Sequence, residues 1–136
     1  MDLSRHRNLY NGDWGAPFWA PGLWQPEGGT YSLKAIQRFV GLLADSGVAT
    51  FLCNPNTQVA WYPSKVAPTA LDGYTRGDRR WEQWMTCYSS ETNLAMMDRY
   101  ADLLKAGIDW VSETVKSCRA QGVSPWLSIR MNDMHG

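Results

Sequence analysis

The sequence predicts an α/β fold of order β-α-β-α-β, with parallel strands whose carboxyl ends form one polar face. Three observations carry that expectation. Short apolar runs alternate with longer stretches of helical period. A unit of helix end, Gly-Val, apolar strand and polar cluster occurs twice, at Ser46-Gly47-Val48 through Asn54 and at Gln121-Gly122-Val123 through Arg130. That order describes a helix returning the chain to the start of a parallel strand. Every strand candidate then runs out into polar residues, and in parallel α/β folds this end binds ligands.

The first strand candidate is Arg7 to Asn11, leading into Gly12-Asp13-Trp14-Gly15. A breaker-rich stretch follows, with Pro17, Pro21, Gly22, Pro26, Gly28 and Gly29, so residues 12–31 read as a long loop, which in a compact domain is usually functional. Ser32 is placed to cap a helix from Leu33 to about Ser46, whose apolar positions Leu33, Ile36, Val40, Leu43 and Ala44 recur at helical period. Val48 to Cys53 is a nearly continuous apolar run, the pattern of a parallel strand buried on both faces. It ends in the turn Asn54-Pro55-Asn56. A second long loop, 57–91, carries the turn signals Asp72-Gly73 and Arg76-Gly77-Asp78. Helices are expected from about Thr92 to Ala106 and, capped by Asp109, from Trp110 to Gln121 with Val111, Val115 and Cys118 on one face. Val123 to Ile129 is the third strand. Pro125 sits near its start, where a missing donor costs least.

The chain of 136 residues suits one domain with a packed core, as 44% hydrophobic and 12% aromatic residues require. Thirteen basic and thirteen acidic side chains cancel. That balance supplies no basic field for nucleic acid or an anionic membrane, so neither is expected as a partner. No apolar stretch follows the charged start Met1 to Arg7, so a secretory signal is not expected and the cytoplasm is the default location. Cys53, Cys87 and Cys118 are odd in number and widely spaced; they read as reduced thiols, two of them core-facing. No metal-spaced histidine pair, phosphate loop or dinucleotide fingerprint occurs, so no cofactor and no metal is expected. Ser64-Lys65 is not a nucleophile pair, because adjacent residues of an extended chain point apart.

Val48 to Leu71 holds Phe51-Leu52-Cys53-Asn54-Pro55-Asn56, then Trp61-Tyr62-Pro63-Ser64-Lys65 and Pro68. Farther on come Cys118-Arg119-Ala120-Gln121-Gly122-Val123 and an aromatic strand ending in Arg130-Met131-Asn132-Asp133. In motif order over most of residues 7–135, this is similar to the glycosyl-hydrolase-like proteins often labelled family 10-like. Those carry a tyrosine-Pro-Ser-Lys segment after the second strand and an R-x-x-G-I helix end before the third. The chain departs from their commonest pattern in Arg130-Met131-Asn132-Asp133, which replaces an asparagine-centred strand end. Its 57–90 loop is also unusually rich in tryptophan and arginine.

The resemblance implies the N-terminal portion of a TIM-type (β/α)8 barrel that acts on, or binds, a poly- or oligosaccharide. Residues 1–136 would supply about three of its eight strands. The acid and nucleophile of such barrels come from later strands, so the catalytic carboxylates are expected beyond residue 136, and the chain alone is expected to be inactive. With no helix to cover the third strand, open sheet edges are expected to favour self-association. The alternative is a small, non-catalytic α/β module that binds carbohydrate or another ligand.

Candidate substrate-binding residues are those at the strand ends and in the long loops: Asp13, Trp14, Asn54, Asn56, Gln58, Trp61, Tyr62, Arg130, Asn132, Asp133 and His135. Asn, Arg and His offer the donors and acceptors that sugar hydroxyls need. Trp14, Trp61 and Tyr62 offer faces for a sugar ring, with packing beneath a loop as the other reading. Asp13 and Asp133 stand open between a catalytic pair, which glycosidases space at roughly 5–9.5 Å, and carboxylates that orient substrate or pair with Arg130. Asp13 could equally serve its own turn.

Overall fold

The computed structural model describes residues 8–13, 32–57, 59–79 and 89–130. Strand β1 is Leu9–Asp13, helix α1 Leu33–Asp45 and strand β2 Thr50–Asn54. Two short strands follow, β3 at Asn56–Thr57 and β4 at Val59–Ala60, then helices α2 at Ser90–Lys105 and α3 at Trp110–Ala120, and strand β5 at Ser124–Leu127. The fold is α/β. Its main sheet has the order β1-β2-β5, and both pairings are parallel.

The repeated Gly-Val pairs have a definite physical meaning. Gly47 and Gly122 take φ of 77° and 73°, a left-handed conformation that costs glycine nothing. At the end of α1 the N–H of Gly47 donates to the Ala44 carbonyl and that of Val48 to Leu43, at 2.9 and 3.0 Å. At the end of α3 Gly122 and Val123 repeat this on Arg119 and Cys118. These are Schellman caps, in which the residue after glycine is apolar and turns back on the helix. Gly107-Ile108 closes α2 in the same way, on Leu104 and Leu103. Each cap ends its helix. After Gly47 and Gly122 it also aims the next residues at the sheet.

Both crossover helices pack on one face of that sheet. Phe51 and Cys53 of β2 point toward them, and Phe51 meets Phe39 of α1 with ring centroids 5.7 Å apart. Ala35, Ile36, Phe39, Val40 and Leu43 form the buried stripe of α1. Ser32 occupies the cap position of α1, yet its side chain makes no capping bond, contrary to the expected role. Ser89 caps α2 instead of a residue farther on, accepting from the Thr92 N–H at 3.2 Å, so the helix starts two residues earlier than its apolar period suggests. Asp109 caps α3 as expected, with its Oδ1 accepting from the Ser112 N–H at 3.1 Å.

The buried face of α3 is Trp110, Thr114, Ser117 and Cys118, which corrects the expected Val111–Val115–Cys118 stripe. The rotation brings the Trp110 indole inward, where its N–H donates to the Trp61 carbonyl at 2.6 Å. Tyr100, Met96, Met97 and Leu103 of α2 complete this part of the core. Fully burying each such side chain contributes about 1.5–3 kcal/mol.

The 57–91 segment was expected as a long loop, and its described part is more ordered than that. β3 and β4 form a two-residue antiparallel ladder, and Ala60 bridges to Thr69. Asp72 holds the Thr69 N–H at 2.8 Å and its hydroxyl at 2.7 Å. Those two bonds keep the exposed Asp72 carboxyl below its ordinary range. Tyr74 donates to Asp98, and Arg76 pairs with Asp98 and Asp102, so the segment is tied to one face of α2.

Candidate functional site

Parallel register decides which side chains meet at the strand ends. Asp13 of β1 lies opposite Asn54 of β2, so both leave the sheet on the face away from the helices. Arg130 lies three residues past the end of β5. The Asp13 Oδ1 accepts from the Asn54 Nδ2 at 3.1 Å and pairs with the Arg130 Nη2 at 2.9 Å. Asn56, the first residue of β3, reaches the same place. Its Nδ2 donates to the Arg130 carbonyl at 2.8 Å and its Oδ1 accepts from the Arg130 N–H at 3.3 Å. Four of the sequence candidates therefore form one bonded cluster built from all three strands.

The reading of Asp13 as a carboxylate paired with Arg130 is what the geometry shows. Each of the two side chains is about a third exposed, at 30% and 36%. An ion pair with that access to solvent contributes about 0–1 kcal/mol to stability. Asn54 is different. It is 3% exposed, and its Oδ1 is buried without a hydrogen-bond donor. A buried acceptor left without a donor costs about 1–3 kcal/mol. Such groups are rare enough in folded proteins that each calls for a reason.

The tryptophan and tyrosine of the second loop part company. Trp61 is 2% exposed and packs against Tyr100 at a centroid distance of 5.5 Å. The ring expected as a stacking platform therefore presents no face to a ligand. Burial wins because the hydrogen bond from Trp110 and the contact with Tyr100 both hold Trp61 against α2 and α3. Tyr62, the next residue, is half-buried and lines a groove of about 590 Å³ with Pro55, Pro63, Val111, Leu127 and Ile129. The sequence reading missed this groove. Its signal was there in Leu127 and Ile129, apolar residues two apart that emerge 52% and 58% exposed.

Trp14, Gln58, Asn132, Asp133 and His135 lie outside the described residues, and the proposed pairing of Asp13 with Asp133 lies there with them. Cys53 and Cys118 are free and buried, as expected, while Cys87 lies outside the described residues. Burial first, and the neighbouring Cys118 second, push the Cys53 thiol from 9.0 up to about 12, and burial pushes Cys118 to about 11. Both are inert as nucleophiles at neutral pH. Among the described residues there is no group of three or more His, Cys, Asp or Glu suited to a metal ion, and no helix is long and apolar enough to cross a membrane.

Fold and site together define an α/β protein with a polar cluster at the carboxyl ends of a three-stranded parallel sheet. No protein-family model matches the sequence, and a search of curated proteins finds no match.

Proposed function

We propose that the chain is part of a TIM-type (β/α) barrel of the glycoside-hydrolase kind, and that its strand-end cluster binds a poly- or oligosaccharide. The observation that carries this reading is the bonded set Asp13, Asn54, Asn56 and Arg130, in which three successive parallel strands deliver acceptors and donors to one place. Sugar hydroxyls are recognised by such mixed sets. The barrel reading draws support from the other face of the sheet. Leu9 and Trp126 are 52% and 49% exposed there, and Leu52, opposite Trp126, is half-buried. Parallel strands normally have both faces covered, and in a barrel that face is the filled interior.

Hydrolysis needs two carboxyl groups, one of which keeps its proton. Asp13 is the only carboxylate among the described strand-end residues, and Arg130 and Asn54 both hold it. The reading therefore assigns the acid and nucleophile to residues other than these, with Asp13 orienting substrate, and residues 1–136 alone bind without hydrolysing. A non-catalytic binding module makes the same use of the cluster, and the engaged state of Asp13 favours it equally for this stretch of chain.

The test is calorimetric titration with gluco-, xylo- and manno-oligosaccharides, together with a reducing-sugar assay. Saturable binding to one of them, lost in Asn54→Leu and unaccompanied by hydrolysis, is the expected result. A folded chain that binds none of them rejects the proposal.

A further inference from the structure

We infer that the strand-end site selects uncharged, hydroxyl-rich ligands over acidic sugars, and that Asp13 sets this selectivity. The inference rests on the carbohydrate reading above and names the substrate class that this site would take.

Charge is the first argument. Arg130 is the only cationic side chain among the described strand-end residues, and it would be the natural anchor for a uronic acid. Its Nη2 is already 2.9 Å from the Asp13 Oδ1. Asn56 fixes the Arg130 backbone from the other side, through both its amide nitrogen and its amide oxygen. The guanidinium is thus held beside the carboxylate. An incoming carboxylate would have to displace Asp13 or lie against it, and like charges at that spacing repel.

Hydrogen-bonding capacity is the second argument, and it is independent of the first. Two acceptor oxygens of the cluster remain without a donor among the described residues. The buried Asn54 Oδ1 has no donor, and Asp13 takes both Asn54 and Arg130 on Oδ1, with no hydrogen bond to its Oδ2 among the described residues. What these two oxygens call for is an O–H or N–H group. A hydroxyl supplies one, whereas an ionised carboxylate supplies only further acceptors. A neutral sugar also matches the pair as it stands, accepting from Arg130 with one hydroxyl and donating to Asp13 with another.

The experiment uses matched monosaccharide pairs that differ only in the acid group: glucose with glucuronate, galactose with galacturonate, and mannose with mannuronate. Each is titrated at constant ionic strength and neutral pH into the wild-type chain and into Asp13→Asn. The shifts of the Asn54 and Asn56 side-chain amides are followed by NMR. For at least one pair, the wild type is expected to bind the neutral member about tenfold or more tightly, a difference of about 1.4 kcal/mol. Asp13→Asn, which removes the negative charge beside Arg130, is expected to narrow or reverse that ratio.

Should Asp13→Asn fail to fold, the wild-type ratio decides alone. Equal or tighter binding of the acids by the wild type overturns the inference and leaves the carbohydrate reading standing. An unchanged ratio in a folded Asp13→Asn removes Asp13 as its cause and overturns the inference too. Failure of every sugar, neutral and acidic, to shift those amides overturns both.

Discussion

The two faces of β2 were built from one apolar run and have different fates. On one side Phe51 and Cys53 are 1% and 3% exposed beneath α1 and α3, with Tyr10 and Phe39 closing around Phe51. On the other, Thr50 is 2% exposed, while Leu52 is half-buried between the exposed Asn11 and Trp126. At its carboxyl end this second face carries the bonded cluster, where Asn54 meets Asp13 and Arg130. The apolar core lies on the helical side, and the proposed site faces away from it. A substitution should therefore reveal its side of the sheet by what it damages.

The largest effect is expected from the covered side. Phe51→Ala and Trp61→Ala should each cost about 3–5 kcal/mol in urea unfolding, the range for large buried aromatic residues. Loss of sugar binding without loss of stability in Trp61→Ala would return that residue to the site. Alkaline pH offers a second contrast. The Cys53 thiol rises from 9.0 to about 12 on folding, so the unfolded chain loses that proton first. Stability held below pH 9 should then fall as pH rises toward 12, because above 9 the unfolded state binds fewer protons. Cys118, Tyr74 and Tyr100 are raised as well, so in Cys53→Val part of that slope should vanish, and an unchanged slope would mean that Cys53 does not contribute.

Smaller effects follow. Asp109→Ala removes the α3 cap and should cost about 1 kcal/mol, within a range of about 0.5–2. On the uncovered face, Leu9→Ser should change the stability of the monomer by about 0.5 kcal/mol or less. The same substitution should weaken any concentration-dependent association seen by sedimentation, since β1 and β5 each pair on one side only among the described strands. A loss of several kcal/mol in Leu9→Ser would show that this face is packed in the folded chain, and the contrast between the faces would collapse.

Much of the framework was legible because its signals are local. The Gly-Val pairs after α1 and α3 marked Schellman caps, and Asp109 marked an N-cap. The polar run-outs at Asp13, Asn54 and Arg130 marked strand ends that the parallel register then brought together. What escaped was set by contacts distant in sequence. Whether α3 turned Val111 or Trp110 inward depended on the Trp61 carbonyl, 49 residues away. Ser32 has the chemistry of a cap without the bond, and no local pattern foretold it. The ordering of the second loop rests on Tyr74 and Arg76 meeting Asp98 and Asp102. Their i, i+4 spacing on α2 is visible in the sequence, while their partners are not.

The central claim is that the strand ends of β1, β2 and β5 form one carbohydrate-binding site, with the Tyr62 groove and the buried Trp61 outside it. Two-dimensional NMR with assigned side-chain amides and backbone, titrated with the best-binding neutral oligosaccharide, tests it directly. The account predicts shifts centred on Asp13, Asn54, Asn56 and Arg130, with Val111 and Tyr100 unmoved. Shifts centred on Tyr62, Val111 and Ile129, or none anywhere in a folded chain, would contradict it.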